Sequence, residues 1–235
     1  MNEPTKYALI VAGGLGTRMG NLVPKQFLLL AGKPVLMHSI RAFRRFEAGI
    51  PVTVVLPLEH ISYWRKLCTE HGFEEAHEVV AGGATRFESV QNGMRGLEGD
   101  GLVAIHDGVR PLIEPDTIKR LFEEATIHSS AIPVLSPKDS LRWQDENGSH
   151  VIDRTFVKII QTPQVFELNK LRQAYVQSYD RSFTDDATVW EKAGNTPYLA
   201  AGQETNIKIT VVEDLRYAAG IIDSLRPLNG LPAVG

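Results

Sequence analysis

Small and charged residues near the amino terminus have the types and spacing to bind a chain of phosphates. They follow an apolar run of strand length, and they are Ala12, Gly13, Gly14, Gly16, Arg18 and Lys25. Glycine lets backbone N–H groups turn towards an anion without a side-chain clash. Arginine and lysine add positive charge where phosphate oxygens would lie. The stretch therefore predicts a phosphate-binding loop that follows a buried strand.

Two better-known glycine-rich loops fit this stretch poorly. A Walker A loop places its lysine between glycine and serine or threonine, whereas Lys25 stands between Pro24 and Gln26. A dinucleotide fingerprint that begins at Gly14 needs its third glycine where Met19 stands, which disfavours a nicotinamide-dependent oxidoreductase. A plain strand-to-helix turn is the remaining alternative, and the two cations argue against it.

Two further polar loops follow predicted strands. Gly83 lies in a glycine turn that opens a helix containing Ser89, which brings free N–H donors and a hydroxyl group together. Asp107 directly follows the predicted strand 102–106, and a carboxylate beside phosphates makes sense when a hard cation such as Mg²⁺ lies between them. From these residues alone, an ordinary turn or helix cap explains either loop equally well.

The first loop, with the Pro-Lys pair that follows it, resembles the signature of the sugar nucleotidyltransferases. Residues 12–19 and 24–27 are most similar to the cytidylyltransferases that make CDP-methylerythritol in the non-mevalonate isoprenoid pathway. Five motifs occur in family order between Ile10 and the final helix. The related ribitol 5-phosphate cytidylyltransferases share the loop and the fold, so they remain an alternative. A non-catalytic sugar-nucleotide sensor would have little need of both Arg18 and Lys25.

The resemblance implies a transfer of the cytidylyl group of CTP to 2-C-methyl-D-erythritol 4-phosphate, with Mg²⁺ as cofactor. The implied catalytic residues are Arg18, Lys25 and Lys208. The implied nucleotide-binding residues are Ala12, Gly13, Gly14, Gly16, Gly83 and Ser89, and the metal ligand is Asp107. The implied acceptor-binding residues are Arg110, Thr162 and Thr184 and, reaching from a neighbouring subunit, Ser140 and Arg154. Ala84 departs from the family, which commonly has an acidic or polar residue there.

The elements that must position these residues alternate between strand and helix in the first half of the chain. This alternation predicts a Rossmann-like, doubly wound α/β fold with a mostly parallel sheet, because parallel strands need crossover helices. The loops after Ala12, Ala81 and His106 should then share the rim where such sheets bind ligands. After Pro133 the alternation breaks, and residues from about 139 to 160 predict a β-hairpin arm. Since a two-stranded ribbon is marginal alone, we expect the arm to make a homodimer.

The sequence also predicts the bounds of individual helices and strands. Helices are expected at 61–71, 168–179 and 185–193, and strands at 198–200 and 207–209. Residues 210–213, Thr-Val-Val-Glu, have the spacing of a capping box that opens the final helix.

Length and composition fit a single domain over residues 1–235. The hydrophobic content of 43% and charged content of 23% are ordinary for a globular protein, and the net charge of −3 indicates neither nucleic acid nor a membrane surface as partner. The first residues lack a basic stretch followed by an apolar one, and no apolar run reaches membrane-spanning length, so we expect a cytoplasmic protein. The single cysteine, Cys68, is expected to be a buried apolar thiol rather than a nucleophile.

Overall fold

The computed structural model describes residues 3–13 and 23–224. Three predicted site residues, Gly14, Gly16 and Arg18, lie outside these ranges. Within the described ranges, none of the helices combines the length and the apolar character needed to span a bilayer.

The described residues form twelve strands. They are β1 (Lys6–Val11), β2 (Leu29–Leu30), β3 (Lys33–Pro34), β4 (Val52–Leu56), β5 (Glu78–Ala81), β6 (Leu102–Asp107), β7 (Ser130–Leu135), β8 (Leu141–Asp145), β9 (Gly148–Ile152), β10 (Ile159–Ile160), β11 (Gln164–Glu167) and β12 (Leu199–Ala201). The helices are α1 (Val35–Phe46), α2 (Leu58–Glu70), α3 (Arg86–Met94), α4 (Pro115–His128), α5 (Leu168–Ala174), α6 (Asp186–Lys192) and α7 (Val212–Ser224). Short 3-10 helices occur at Lys25–Phe27 and Arg154–Phe156.

One mixed, mostly parallel sheet forms the centre of the molecule, which confirms the predicted fold class. Its strand order is β10-β7-β11-β6-β1-β4-β5, and β12 pairs with β7. Strands β6, β1, β4 and β5 are mutually parallel, whereas β11 runs antiparallel between β6 and β7. In this register Val11 lies opposite Val55 on one side and Asp107 on the other. The carboxyl ends of the parallel strands therefore meet at one rim, as the alternation of strand and helix predicted.

Helices cover both faces of the sheet, so the central strands are apolar on both sides. In β1, Ala8 and Ile10 pack towards one core with α1, α2 and α4, and Leu9 and Val11 pack towards a second core with α3, α5 and α6. Two-sided burial explains why β1 reads as a continuous apolar run rather than as an alternating one. Gly13 therefore follows closely on a strand that is buried on both faces.

Several element boundaries differ from the sequence expectations. Helix α2 begins at Leu58, directly after Pro57, rather than at residue 61. Helix α5 ends at Ala174, five residues before the expected end, and the Tyr175 N–H group donates to the carbonyl of Leu171 as the helix closes. Cys68 is half-buried, and burial raises its thiol pKa to about 11, which fits an unreactive side chain.

The predicted strand at 207–209 is wrong. The segment is irregular, and among its main-chain groups the Ile209 N–H donates to the carbonyl of Val109. Ile209 packs in a small cluster with Leu30, Val109 and Ala218, beside the loop that follows β6. The apolar residues of segment 207–209 are therefore explained by packing against that loop and α7, without a partner strand.

The predicted capping box at 210–213 is also wrong in detail. Asp214, one residue further on, accepts the N–H groups of Thr210 and Val211 at 2.6 and 2.9 Å and the Thr210 hydroxyl at 2.7 Å. The Asp214 carboxylate, in the first turn of α7, thus accepts the hydrogen bonds of the residues that precede the helix. Its negative charge also interacts favourably with the positive end of the helix dipole.

The hairpin predicted for the arm is present. Strands β8 and β9 pair with each other in a separate two-stranded sheet, from Leu141 opposite Ile152 to Asp145 opposite Gly148. Its large apolar side chains stay in solvent within one chain: Trp143 is 54% exposed, and Phe156, just beyond the hairpin, is 86% exposed. Within residues 3–13 and 23–224, these side chains therefore form an apolar surface that stays uncovered.

Candidate functional site

A cleft lies where the carboxyl ends of β1, β4, β5 and β6 meet. Its first pocket is lined by predicted residues from separate parts of the chain, namely Ala12, Gly13, Lys25, Gly83, Ser89, Asp107 and Lys208. Lys25 comes from the short helix after the glycine loop, and Gly83 from the turn after β5. The fold thus brings together one catalytic candidate near the amino terminus and another at residue 208.

A second pocket adjoins the first and contains the remaining acceptor candidates of the core. Arg110, Thr162 and Thr184 line it. Asp107, Lys208 and Arg86 line both pockets. These three side chains therefore mark the boundary between the two pockets.

Asp107 holds two cations at this boundary. Its Oδ2 atom lies 2.9 Å from Lys208 Nζ and 3.3 Å from Arg110 Nε. Burial would raise the pKa of the Asp107 carboxyl, but the neighbouring cations, Lys208 first among them, outweigh burial and hold the pKa well below its usual range. Asp107 is therefore ionised at neutral pH, and it aims both cations into the cleft.

Thr162 fixes the backbone of Asp107. Its Oγ1 atom accepts the Asp107 N–H at 3.0 Å and lies 3.1 Å from Nδ1 of the fully buried His106, whose Nε2 atom is 3.0 Å from the carbonyl of Arg110. Burial lowers the pKa of His106 to about 4, so the ring is neutral at pH 7. We infer that Nε2 carries the proton, because Nε2 faces a carbonyl and Nδ1 faces a hydroxyl group that can donate. Thr162 thus uses its hydroxyl within the protein as well as lining the second pocket.

This buried histidine predicts a loss of stability in mild acid. Below pH 6.5, the ordinary pKa of histidine, His106 is protonated in the unfolded chain but stays neutral in the folded protein. The free energy of unfolding therefore falls as the pH drops from 6.5 to 4. The contribution of His106 is about 3 kcal/mol across that window. Urea unfolding between pH 7 and pH 4 should show that the free energy of unfolding changes less with pH in His106→Gln than in the wild type. His150→Gln, on the exposed arm, should keep the wild-type slope, and equal slopes in all three proteins would contradict the assignment.

The turn after β5 is held by its own hydrogen bonds. The Gly83 N–H donates to Ser89 Oγ at 3.1 Å, and that hydroxyl donates to the carbonyl of Thr85 at 2.8 Å. Thr85 and Glu88 form a capping box at the start of α3. The Thr-x-x-Glu spacing of residues 85–88 is the sequence signal for it. A Cβ atom on Gly83 would overlap that of Glu88, so the turn requires glycine there.

Arg86 was not among the candidates that the sequence indicated. Its Nη1 and Nη2 atoms donate to Oδ1 and Oδ2 of Asp186 at 2.7 and 2.6 Å. The Tyr175 hydroxyl also donates to Asp186, at 2.6 Å. No short motif could have revealed the pair, since its members are 100 residues apart along the chain.

Two buried amides support the cleft and were likewise not indicated by the sequence. Gln26 donates from Nε2 to the carbonyl of Ala12 at 2.9 Å, which ties the end of β1 to the residue beside Lys25. Asn206 donates from Nδ2 to the carbonyl of Thr162 at 2.8 Å, and its own main-chain carbonyl accepts Nη1 of Arg110 at 2.9 Å. Both side chains therefore fix main-chain segments that carry predicted site residues.

The donor groups fit a magnesium ion that takes its other ligands from a substrate. Over residues 3–13 and 23–224, no cluster of three or more His, Cys, Asp or Glu side chains could hold a metal unaided. Both ion pairs of Asp107 use Oδ2. Mg²⁺ commonly takes one or two carboxylates together with phosphate oxygens and water. Asp107 therefore fits as the single protein ligand to a phosphate-bound Mg²⁺.

The two arm candidates do not reach the cleft of their own chain. Ser140 precedes β8 and Arg154 follows β9, and neither lines the two pockets formed by the described residues. Arg154 donates from Nη1 to the carbonyl of Lys138, the residue that directly precedes the arm. Among the described residues, neither side chain therefore belongs to the cleft of its own chain.

Comparison with known proteins points in one direction. The sequence model of the 2-C-methyl-D-erythritol 4-phosphate cytidylyltransferase family matches residues 7–224. A relative of that name from Bacteroides fragilis is 47% identical over 217 residues, which are 92% of this chain and 99% of the relative. One from Porphyromonas gingivalis W83 is 45% identical over 223 residues, 94% of this chain and 100% of the relative. The crystal structure of a protein with the same name from Thermus thermophilus superposes with a TM-score of 0.73 at 28% identity, covering 94% of this chain and 100% of that one.

Proposed function

Because the chain belongs to the 2-C-methyl-D-erythritol 4-phosphate cytidylyltransferase family, we propose that its cleft transfers the cytidylyl group of CTP to 2-C-methyl-D-erythritol 4-phosphate. The products are 4-diphosphocytidyl-2-C-methyl-D-erythritol and pyrophosphate. The observation that carries this proposal is the meeting of Lys25, Asp107 and Lys208 in one pocket beside a second, cation-lined pocket. We assign CTP to the first pocket and the acceptor to the second.

Positioning and charge carry the proposed reaction, and no covalent enzyme intermediate is required. An acceptor phosphate oxygen attacks the α-phosphorus of CTP, and pyrophosphate leaves with the electron pair of the broken P–O bond. Lys25 stabilises the negative charge that develops on the transferred group, and we assign the same role to Arg18. Lys208 and Arg110, both paired with Asp107, orient the attacking phosphate.

The proposed acid–base requirements are small. The acceptor phosphate is already ionised at neutral pH, so the attack needs no general base. His106, which adjoins Asp107 in the chain, is fully buried and holds hydrogen bonds inside the protein, which supports a structural role for it. Mg²⁺, when bound to Asp107 and the phosphates of CTP, would neutralise phosphate charge and orient the nucleotide.

The proposed base site favours a pyrimidine. Gly83 and Ser89 form a small turn that is fixed by its own hydrogen bonds and by the capping box of α3. Backbone and hydroxyl groups of this size suit the amino and carbonyl edge of cytosine, whereas a purine would clash or leave polar groups unpaired. We expect kcat/KM for CTP to exceed that for ATP by about 10²-fold or more. Steady-state rates with CTP, ATP and GTP measure this, and equal turnover with ATP would contradict it.

A pyrophosphate-release assay tests the proposed function itself. The full chain is incubated with CTP, Mg²⁺ and either 2-C-methyl-D-erythritol 4-phosphate or ribitol 5-phosphate, and the CDP-linked product is identified by mass. We expect turnover with methylerythritol phosphate to exceed that with ribitol phosphate by orders of magnitude. Faster turnover with ribitol phosphate would overturn the acceptor assignment, and no turnover with either would overturn the function.

We also propose that the arm, residues 139–160, makes a homodimer with a shared site, in the cytoplasm where CTP is available. The exposed apolar side chains of the arm support this, because a twofold axis would let each arm cover its counterpart. Arg154 and Ser140 would then extend from one chain to the acceptor pocket of the other. Arg154 would thereby add a further guanidinium group to that pocket, directed at the acceptor phosphate.

A further inference from the structure

Arg86 lies at the boundary between the two pockets and lines both. Its side chain is 29% exposed, whereas its partner Asp186 is fully buried. The pair is therefore one-sided: the carboxylate is covered by protein, and the guanidinium remains in contact with the cleft. An ion pair that only joined two helices would have no need to face either pocket.

Two independent constraints fix this guanidinium. Arg86 is the first residue of α3, so the capping box of Thr85 and Glu88 fixes its backbone. Asp186 fixes the side chain through two parallel hydrogen bonds, and Tyr175 in turn holds Asp186. We call these two parallel bonds the fork. Of the five N–H donors of a guanidinium, the fork uses two and leaves three for other partners. A side chain fixed in this way loses little entropy when it binds a further anion.

The surrounding charges indicate what Arg86 would bind. Burial would lower the pKa of Arg86, but the Asp186 carboxylate, with a further contribution from Asp107, outweighs burial and raises the pKa. The guanidinium is therefore a permanent cation that shares the boundary of the two pockets with Lys208. Cations at such a boundary suit a phosphate group that passes between the pockets.

We propose that Arg86 is a further substrate-binding residue, whose guanidinium, aimed by Asp186, holds the phosphates of both substrates at the boundary of the two pockets. This inference rests on the proposed cytidylyl transfer and adds a residue to it. Arg86 donates hydrogen bonds to oxygens of the acceptor phosphate and of the α-phosphate of CTP while the acceptor attacks. Asp186 and Tyr175 act through Arg86 as positioning residues. The fork also joins the turn that lines the nucleotide pocket to the start of α6, next to the Thr184 and Asp185 side of the acceptor pocket.

Substitutions at Arg86 in the full chain test the proposal. Arg86→Gln, which removes the charge, should lower kcat/KM for both substrates by about 10²- to 10³-fold. Arg86→Lys, which keeps a cation but cannot make the fork, should recover part of that loss. The matched control is Arg41→Gln, because Arg41 is also 29% exposed and paired with a carboxylate, Glu75, but lines neither pocket. It should keep wild-type kcat and both KM values, whatever its melting temperature.

An exchange of the two charges separates substrate binding from simple stabilisation. Arg86→Asp combined with Asp186→Arg restores an ion pair but moves the cation to the buried side. A melting temperature that recovers relative to Arg86→Asp while activity stays at the Arg86→Gln level supports the proposal, and recovery of activity overturns it. If the exchange variant does not fold, Arg86→Lys decides: wild-type KM values for both substrates with a lowered melting temperature overturn the proposal. Wild-type protein in the same assay separates a failure of this inference from a failure of the proposed function.

Discussion

Replacing Asp107 with asparagine should lower kcat on the order of 10³-fold at saturating CTP, acceptor and Mg²⁺. Asparagine has nearly the same shape, so the change removes charge rather than volume. Without the carboxylate, Lys208 and Arg110 lose the group that aims them, and the proposed magnesium ligand is lost as well. The measurement is pyrophosphate release during a magnesium titration, with circular dichroism to verify that the fold is kept.

Asp116→Asn is the matched control for this prediction. It makes the same chemical change in the first turn of α4, outside both pockets. Its turnover and magnesium dependence should equal those of the wild type. An Asp107→Asn protein with unchanged kcat and an unchanged magnesium titration would contradict the assigned role of Asp107.

Mixing two nearly inactive variants should restore activity if the site is shared between subunits. Arg154→Ala and Lys25→Ala are the pair to mix, because Lys25 lies in the cleft of its own chain and Arg154 lies on the arm. After subunit exchange, half of the dimers are mixed, and each mixed dimer has one site with both defects and one with neither. Activity should therefore recover to about a quarter of the wild-type value. Arg154→Ala alone should raise the KM of the acceptor far more than that of CTP.

A second mixture controls for effects of exchange itself. Lys25→Ala and Lys208→Ala remove two groups that line the same pocket of one chain, so their mixed dimers contain a defect in every site and should stay inactive. A wild-type chain that is fully active as a monomer would argue against the shared site. So would a Lys25→Ala and Arg154→Ala mixture that stays inactive after exchange has been verified by mass spectrometry.

Much of the fold could be read from short-range patterns. The apolar run of β1, the glycines after it and the β-α alternation are local features, and they correctly predicted the parallel strands and the common rim of the cleft. The arm was also evident, since turn residues between two short alternating segments indicate a hairpin. The pattern was misleading where apolar residues are explained by packing alone, as at 207–209. There Ile209 contacts a loop and a helix, and periodicity cannot distinguish this from a strand.

The sequence by itself determined which residue types could bind phosphate at the cleft. In any fold, arginine and lysine carry positive charge and glycine leaves its backbone N–H group accessible. Only the tertiary structure decided which of them meet: Arg86 with Asp186, Thr162 with His106, and Lys208 with Asp107. Each of these contacts joins segments that are far apart along the chain, 56 residues in the case of Thr162 and His106 and 100 in the case of Arg86 and Asp186. Their strength depends on burial and on distances of about 3 Å, and both of these follow from how the helices pack on the sheet rather than from any local spacing.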